Sequence, residues 1–232
     1  MKRYRQIIFI ALLCFFTGAP SAYAQYKSVV MGVRVTPNFG WFRVDTDGYN
    51  SEGIVPGIGW GLTADFYFAE NYAIASGFNV NFINAKLSYP DVQAFQDGIM
   101  TRKYRLKYIE IPVLVKMKTN DIGDFRFFGQ LGLQPGVRIG SKGKDTFTSN
   151  STPYFTNKTD WHGIDSETNL FRISMVVGGG IEYPIDNSTA LVAGINFVNG
   201  LSDVLKGKNA LDNSIKHKAI PNMLELSVGI VF

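Results

Sequence analysis

The sequence holds one cysteine and two histidines in 232 residues, and only 18% of it is charged. Cys14 lies in the N-terminal apolar run, so the rest of the chain has no thiol for a disulfide, a Cys-metal site or a nucleophile. The charge is also unevenly placed. Lys2, Arg3 and Arg5 precede the apolar run from Ile7 to Phe16, and Ala22-Tyr23-Ala24 supplies a small-x-small cleavage site before Gln25. These features predict a secretory signal peptide over residues 1–24. Its removal leaves 20 of the 23 basic residues against all 19 acidic ones, so the formal charge falls from +4 to +1 and no basic face is left for nucleic acid. Beyond the leader, no uninterrupted apolar stretch approaches the roughly 18 residues of a spanning helix. Low charge with 14% aromatic residues and 24 glycines disfavours both disorder and a helical bundle.

Alternation takes the place of long apolar runs. Eight segments carry apolar residues at period two: 29–41, 57–68, 72–84, 104–118, 125–139, 171–183, 189–197 and 222–232. In the second, Ile58, Trp60, Leu62, Ala64, Phe66 and Phe68 alternate with Gly57, Gly59, Gly61, Thr63, Asp65 and Tyr67. The fourth changes phase near Tyr108-Ile109, which predicts a bulge ahead of Pro112. Long connections at 42–56, 86–103, 140–170 and 198–221 alternate with short ones at 69–71, 119–124 and 184–188. Segments of this length, with short and long connections in alternation, predict an all-β fold: an eight-stranded antiparallel up-and-down transmembrane β-barrel over residues 25–232. Four long external loops, three short periplasmic turns and two periplasmic termini follow in a bacterial outer membrane. Aromatics cluster at both ends of the segments, as two interfacial girdles would.

Two stretches carry a family likeness. Tyr108-Ile109-Glu110-Ile111-Pro112-Val113-Leu114-Val115-Lys116 resembles the Y-x-E-I-P-x-x-x-K strand of the PorT-type outer-membrane β-barrel family of Bacteroidetes, and Asn199-Gly200-Leu201-Ser202-Asp203 resembles its G-L-x-D segment. The layout of nearly the whole mature chain is similar to that family; only these two stretches are specific. Phe232, ending an alternating last strand, resembles the signal by which barrel-assembly machinery recognises its clients. The founding member's part in type IX protein secretion makes an accessory role in the cell envelope, including that export route, what the resemblance implies.

An eight-stranded barrel is narrow enough to be filled by its own side chains. The polar face carries Arg34, Lys116, Arg126, Arg138 and Arg172 against Asp65, Glu110, Glu182 and Glu225, and charges this costly to bury unpaired predict a lumenal network that closes the pore. Gly57, Gly59, Gly61, Gly178 and Gly180 are expected to make room for the long arginines. The third long connection, with Phe147, Tyr154, Phe155 and Trp161 among polar residues, is the expected partner surface for envelope or secretion proteins. Lys206, Lys208, Lys216 and Lys218 in the fourth are placed to meet lipopolysaccharide phosphates in the surrounding outer-membrane lipid, or an acidic partner. His162 and His217 are the only histidines for a lipid-modifying enzyme, and Gly57-x-Gly59-x-Gly61 lies in a strand with no following helix, so no cofactor is expected. The reading is a non-enzymatic barrel; a narrow solute or ion channel and a lipid-modifying enzyme are the alternatives.

Overall fold

The computed structural model describes residues 29–151, 154–186, 188–209, 211–212 and 214–232. The expected leader, residues 1–24, lies outside the described residues. Eight strands form the wall: β1 (Val29–Arg43), β2 (Val55–Ala69), β3 (Tyr72–Gln93), β4 (Gln96–Glu110, resuming as Val113–Lys118), β5 (Arg126–Ser149), β6 (Phe171–Pro184), β7 (Ala190–Gly200) and β8 (Ile220–Val231). Each pairs antiparallel with its sequence neighbours, and β1 pairs with β8, so the ring is closed. Phe232 seals the seam, its amide donating to Met31 O at 2.7 Å and its carbonyl accepting from Met31 N at 3.1 Å.

β4 is one strand despite its interruption. Asn79↔Glu110 on one side of Ile111-Pro112 and Ala75↔Leu114 on the other share a single register with β3. Pro112 has no N–H to give to the ladder, which accounts for the gap. The expected bulge is on the neighbouring strand. Lys107 pairs with Gly140 and Tyr108 with Arg138, leaving Ile139 of β5 as the extra residue. Even-numbered residues of β5 face inward through Arg138 and odd-numbered ones from Ser141 onward, whereas β4 keeps Leu106, Tyr108, Glu110, Leu114 and Lys116 on one inner face throughout.

The apparent phase change in β4 has a different origin. Through Ile109 and Ile111 the outer face is apolar; from Lys107 upward it is cationic while the inner face becomes apolar. The backbone does not slip; the surrounding medium changes from lipid to water, and the apolar face changes with it. For the same reason the expected second long loop, 86–103, is not a loop. β3 and β4 run on as a hairpin that turns at Ala94-Phe95, both with positive φ (51° and 61°), the conformation of a two-residue type I′ turn. Its Ser88 to Gly98 sequence, with Pro90, two aspartates and Gly98, reads as loop chemistry, which hid the strands. β5 likewise extends to Ser149 and shortens the third connection.

At about 3.3 Å rise per residue and about 40° tilt, the 22 residues of β3 climb roughly 55 Å, about twice a ~25 Å apolar belt. The belt itself is the exposed outer face of the ring: Val33, Trp60, Leu62, Ile74, Val115, Leu131, Val177, Ile195 and Val228 are all solvent-accessible side chains. A buried apolar cluster lies at the long-connection end, around Phe42, Ile83, Leu87, Tyr104, Leu106, Phe147 and Ile164.

Candidate functional site

Inside the belt the lumen is filled by ionic groups in two tiers. In the tier nearer the short turns, Lys116 of β4 donates to Asp65 Oδ2 of β2 at 2.8 Å and to Glu182 Oε1 of β6 at 2.7 Å. Lys118 donates to the second oxygen of Glu182 at 3.0 Å. The two ammonium groups lie 4.5 and 4.7 Å from the ring centroids of Phe128 and Tyr67, respectively, and the remaining space is a cavity of about 50 Å³. Charges this deeply buried persist only when paired.

The middle tier centres on Glu110. Its Oε2 accepts from Asn81 of β3 and Gln134 of β5, and Arg172 of β6 approaches Oε1 at 3.1 Å, an ion contact without hydrogen-bond alignment. Asn81 also donates to Glu225 of β8 at 3.1 Å, so two carboxylates share one amide. The Arg172 guanidinium lies 5.4 Å from the Tyr108 ring centroid. Arg34 lies within electrostatic reach of Glu225, and among the described residues its Nε has no hydrogen-bond partner.

Seven of the nine charges expected in the lumen therefore gather there, with Arg34 held only by charge. Arg126 and Arg138 do not. Arg126 pairs with Asp121 at the rim of a short turn, where water competes for both. Arg138 sits at the other end, where its Nη1 donates to Asp165 O at 2.7 Å and to the Thr168 and Ser141 hydroxyls, pinning the 150–170 connection to the wall. Asn81, Gln134 and Lys118 are lumenal partners the charge pattern does not single out; their positions on the polar face were the available signal. The lumenal glycines serve a different role from the one expected. A Cβ at Gly59 would collide with the Asn81 amide, and one at Gly178 with the Asn196 amide, so these glycines admit asparagines of neighbouring strands, not arginines.

A second closure covers the long-connection end. Phe147, expected in the partner surface, is fully buried, because the Ile139 bulge turns it inward; Phe155 packs against it at 5.6 Å. Tyr154 remains 75% exposed, and Trp161 is half-exposed beneath Arg105, whose guanidinium stands 4.5 Å from its ring centroid. Arg102 grips Asp145 through two bonds of 2.6 and 2.7 Å and also reaches Glu167, the last residue of a 3-10 turn (Asp165–Glu167). Tyr49 stacks on Tyr89 at 5.2 Å; its hydroxyl accepts from Asn209 at 2.9 Å and shares a hydrogen bond of 2.9 Å with His217 Nδ1. Three connections thus fold over the mouth around a shared core. Burial, then the positive charge of Arg102, hold the His217 pKa below its ordinary value. His162 instead sits beside Asp160 O and Asp145, and neither histidine bonds a serine hydroxyl among the described residues.

A closed antiparallel ring that is apolar outside and ionic inside, with no spanning helix among the described residues, defines an integral outer-membrane β-barrel. Residues 23–206 match the outer membrane protein beta-barrel domain family, and the chain belongs to that family. The sequence matches no curated protein. Among solved structures, the chain is similar to Neisserial surface protein A (12% identity, TM-score 0.47, covering 88% of this chain and 96% of that one) and to OprG of Pseudomonas aeruginosa (12%, 0.46, 88% and 95%). It is also similar to Ail, the attachment invasion locus protein of Yersinia pestis (13%, 0.36, 88% and 98%).

Proposed function

We propose that this protein is a non-conducting, non-enzymatic outer-membrane barrel that acts through its protruding end as an interaction component of the cell envelope. One observation carries the reading: the lumen is closed twice, by a paired ionic plug within the belt and by an apolar cap at the mouth. A solute path through both would have to break several buried ion pairs and unfold three connections. The arrangement supports a surface-presenting role instead, with the long-connection end outside and both termini in the periplasm. In planar bilayers the purified protein is expected to give no discrete openings; stable unitary conductance would overturn the proposal in favour of a narrow channel.

The PorT-type resemblance of the 108–116 strand and the 199–203 segment supports a narrower assignment, to type IX protein export. Its test is deletion of the gene with quantitative mass spectrometry of the secreted proteins against a complemented strain. Loss of cargo from the medium with precursors held in the periplasm is the expected result. An unchanged secretome would remove the export role and leave the envelope role standing.

A further inference from the structure

On the outer surface of β3, β4 and β5, just beyond the apolar belt, positive charges stand in rows across the ladder. Lys86 is directly opposite Lys103, and Lys103 directly opposite Lys144. One step down, Arg105 is directly opposite Lys142. Like charges in register on adjacent strands repel and destabilise a sheet. The one ion pair here among the described residues, Glu52 with Lys86 at 3.8 Å, leaves most of that charge uncompensated. An open groove of about 540 Å³ is lined by Lys86, Lys103, Lys144, Lys158 and Trp161. The Ile139 bulge is what turns Lys142 and Lys144 outward; without it they would face the lumen.

The same outer faces become apolar directly below. Descending β4, Lys103, Arg105 and Lys107 give way to Ile109, Ile111 and Val113; on β5, Lys142 gives way to Ile139 and Val137; on β3, Lys86 gives way to Phe82 and Phe78. The change falls within a few residues on three neighbouring strands, with Lys103 roughly 15–20 Å along the strand from Ile109. A ligand matching both zones has acyl chains below and phosphate above. We infer that this face is a docking site for the phosphorylated headgroup of an outer-leaflet glycolipid, its phosphates held by Lys103, Lys144 and Arg105 and its sugar beside Trp161. The site differs from the lysines of the fourth connection, where Lys208 bridges to Lys216 in the cap. The inference rests on the outward placement of the long-connection end, which cysteine labelling tests separately.

The test uses the full mature chain in phosphatidylcholine nanodiscs doped with either diphosphoryl lipid A or its dephosphorylated form, and reads the lipid retained after washing by mass spectrometry. The wild-type protein is expected to retain the diphosphoryl form roughly tenfold better, equivalent to about 1.4 kcal/mol. K103E/K144E should abolish that preference, while K216E/K218E should keep it. Heat-dependent gel mobility shows that each variant is folded, and K103Q/K144Q, which should weaken the preference in the same direction, serves if the reversal does not fold. Equal retention of the two lipids, or an unchanged preference in the folded K103 and K144 variants, would overturn the inference. Displacement of the lipid by inorganic triphosphate at equal concentration would overturn it too, since the groove would then take any polyanion.

Discussion

Lys116 holds two carboxylates in a space that bulk water does not freely enter. Removing it leaves Asp65 with no cation partner among the described residues, while Glu182 keeps Lys118. Lys116→Met is therefore expected to cost about 3–5 kcal/mol, read as a lower urea midpoint of unfolding in liposomes, and adding Asp65→Asn should recover most of it. If the double variant were no more stable than the single, the plug would not be the source of the loss. Phe147 and Tyr154 make a second contrast. Phe147→Ala empties a fully buried site and should cost about 3–5 kcal/mol in the cap, whereas Tyr154→Ala should stay within about 0.5 kcal/mol, both by hydrogen exchange of the extension. The charged residues of the lumen were visible in the sequence because alternation assigned each to a face. Their partners were not, since contact between Lys116 and Glu182 depends on how strands 66 residues apart in sequence meet across the barrel.

Among the elements, β5 carries the most consequential irregularity. Deleting Ile139 should restore regular pairing and leave every residue from Ser141 to Ser149 facing as it does, because Lys107 already pairs with Gly140 and Tyr108 with Arg138. The ring should still form, giving normal heat-dependent gel mobility, and the extension should stay resistant to protease; a protease-sensitive extension would mean that Ile139 is not the extra residue. The bulge is legible only as a fault in the pattern, and the pattern puts that fault in β4 because the sequence does not say which medium surrounds a residue. Leu106 and Tyr108 look like lipid-facing residues out of phase; they are cap residues in phase. The fourth connection has its own switch. The His217 pKa is depressed, so the folded cap prefers the neutral ring; its contribution is present above the ordinary histidine pKa of about 6.5 and is lost as pH falls through the lower folded value. Protonation adds a charge beside Arg102, although Asp91 and Glu167 partly offset the repulsion. Protection factors in the fourth connection should therefore fall as pH drops below the ordinary histidine pKa of about 6.5, and His217→Asn should flatten that response.

Across the whole molecule, the strands divide into a short side and a tall side. β7 and β8 have 11 and 12 residues, about what a tilted bilayer crossing needs, whereas β3, β4 and β5 rise far above it. The ring, its strand number and the short turns followed from periodicity and turn chemistry, but the tall side did not, because a water-exposed sheet reverses the apolar face. A chain with no cysteine after Cys14 makes orientation easy to test. A single cysteine placed at exposed Ser214 should react with an impermeant maleimide on intact cells, and one placed at Asp124 only after the envelope is opened.

The pairing of β1 with β8 also makes closure depend on both ends of the chain. In whatever order the strands enter the membrane, until residues 220–232 meet β1 the sheet is open, with two raw edges in a solvent that offers them no hydrogen bonds. Closure is then all or nothing, completed by the backbone bonds between Met31 and Phe232. A chain truncated before β8 would be not a smaller barrel but an unfinished one, dependent for its lifetime on whatever escorts the two edges until they meet.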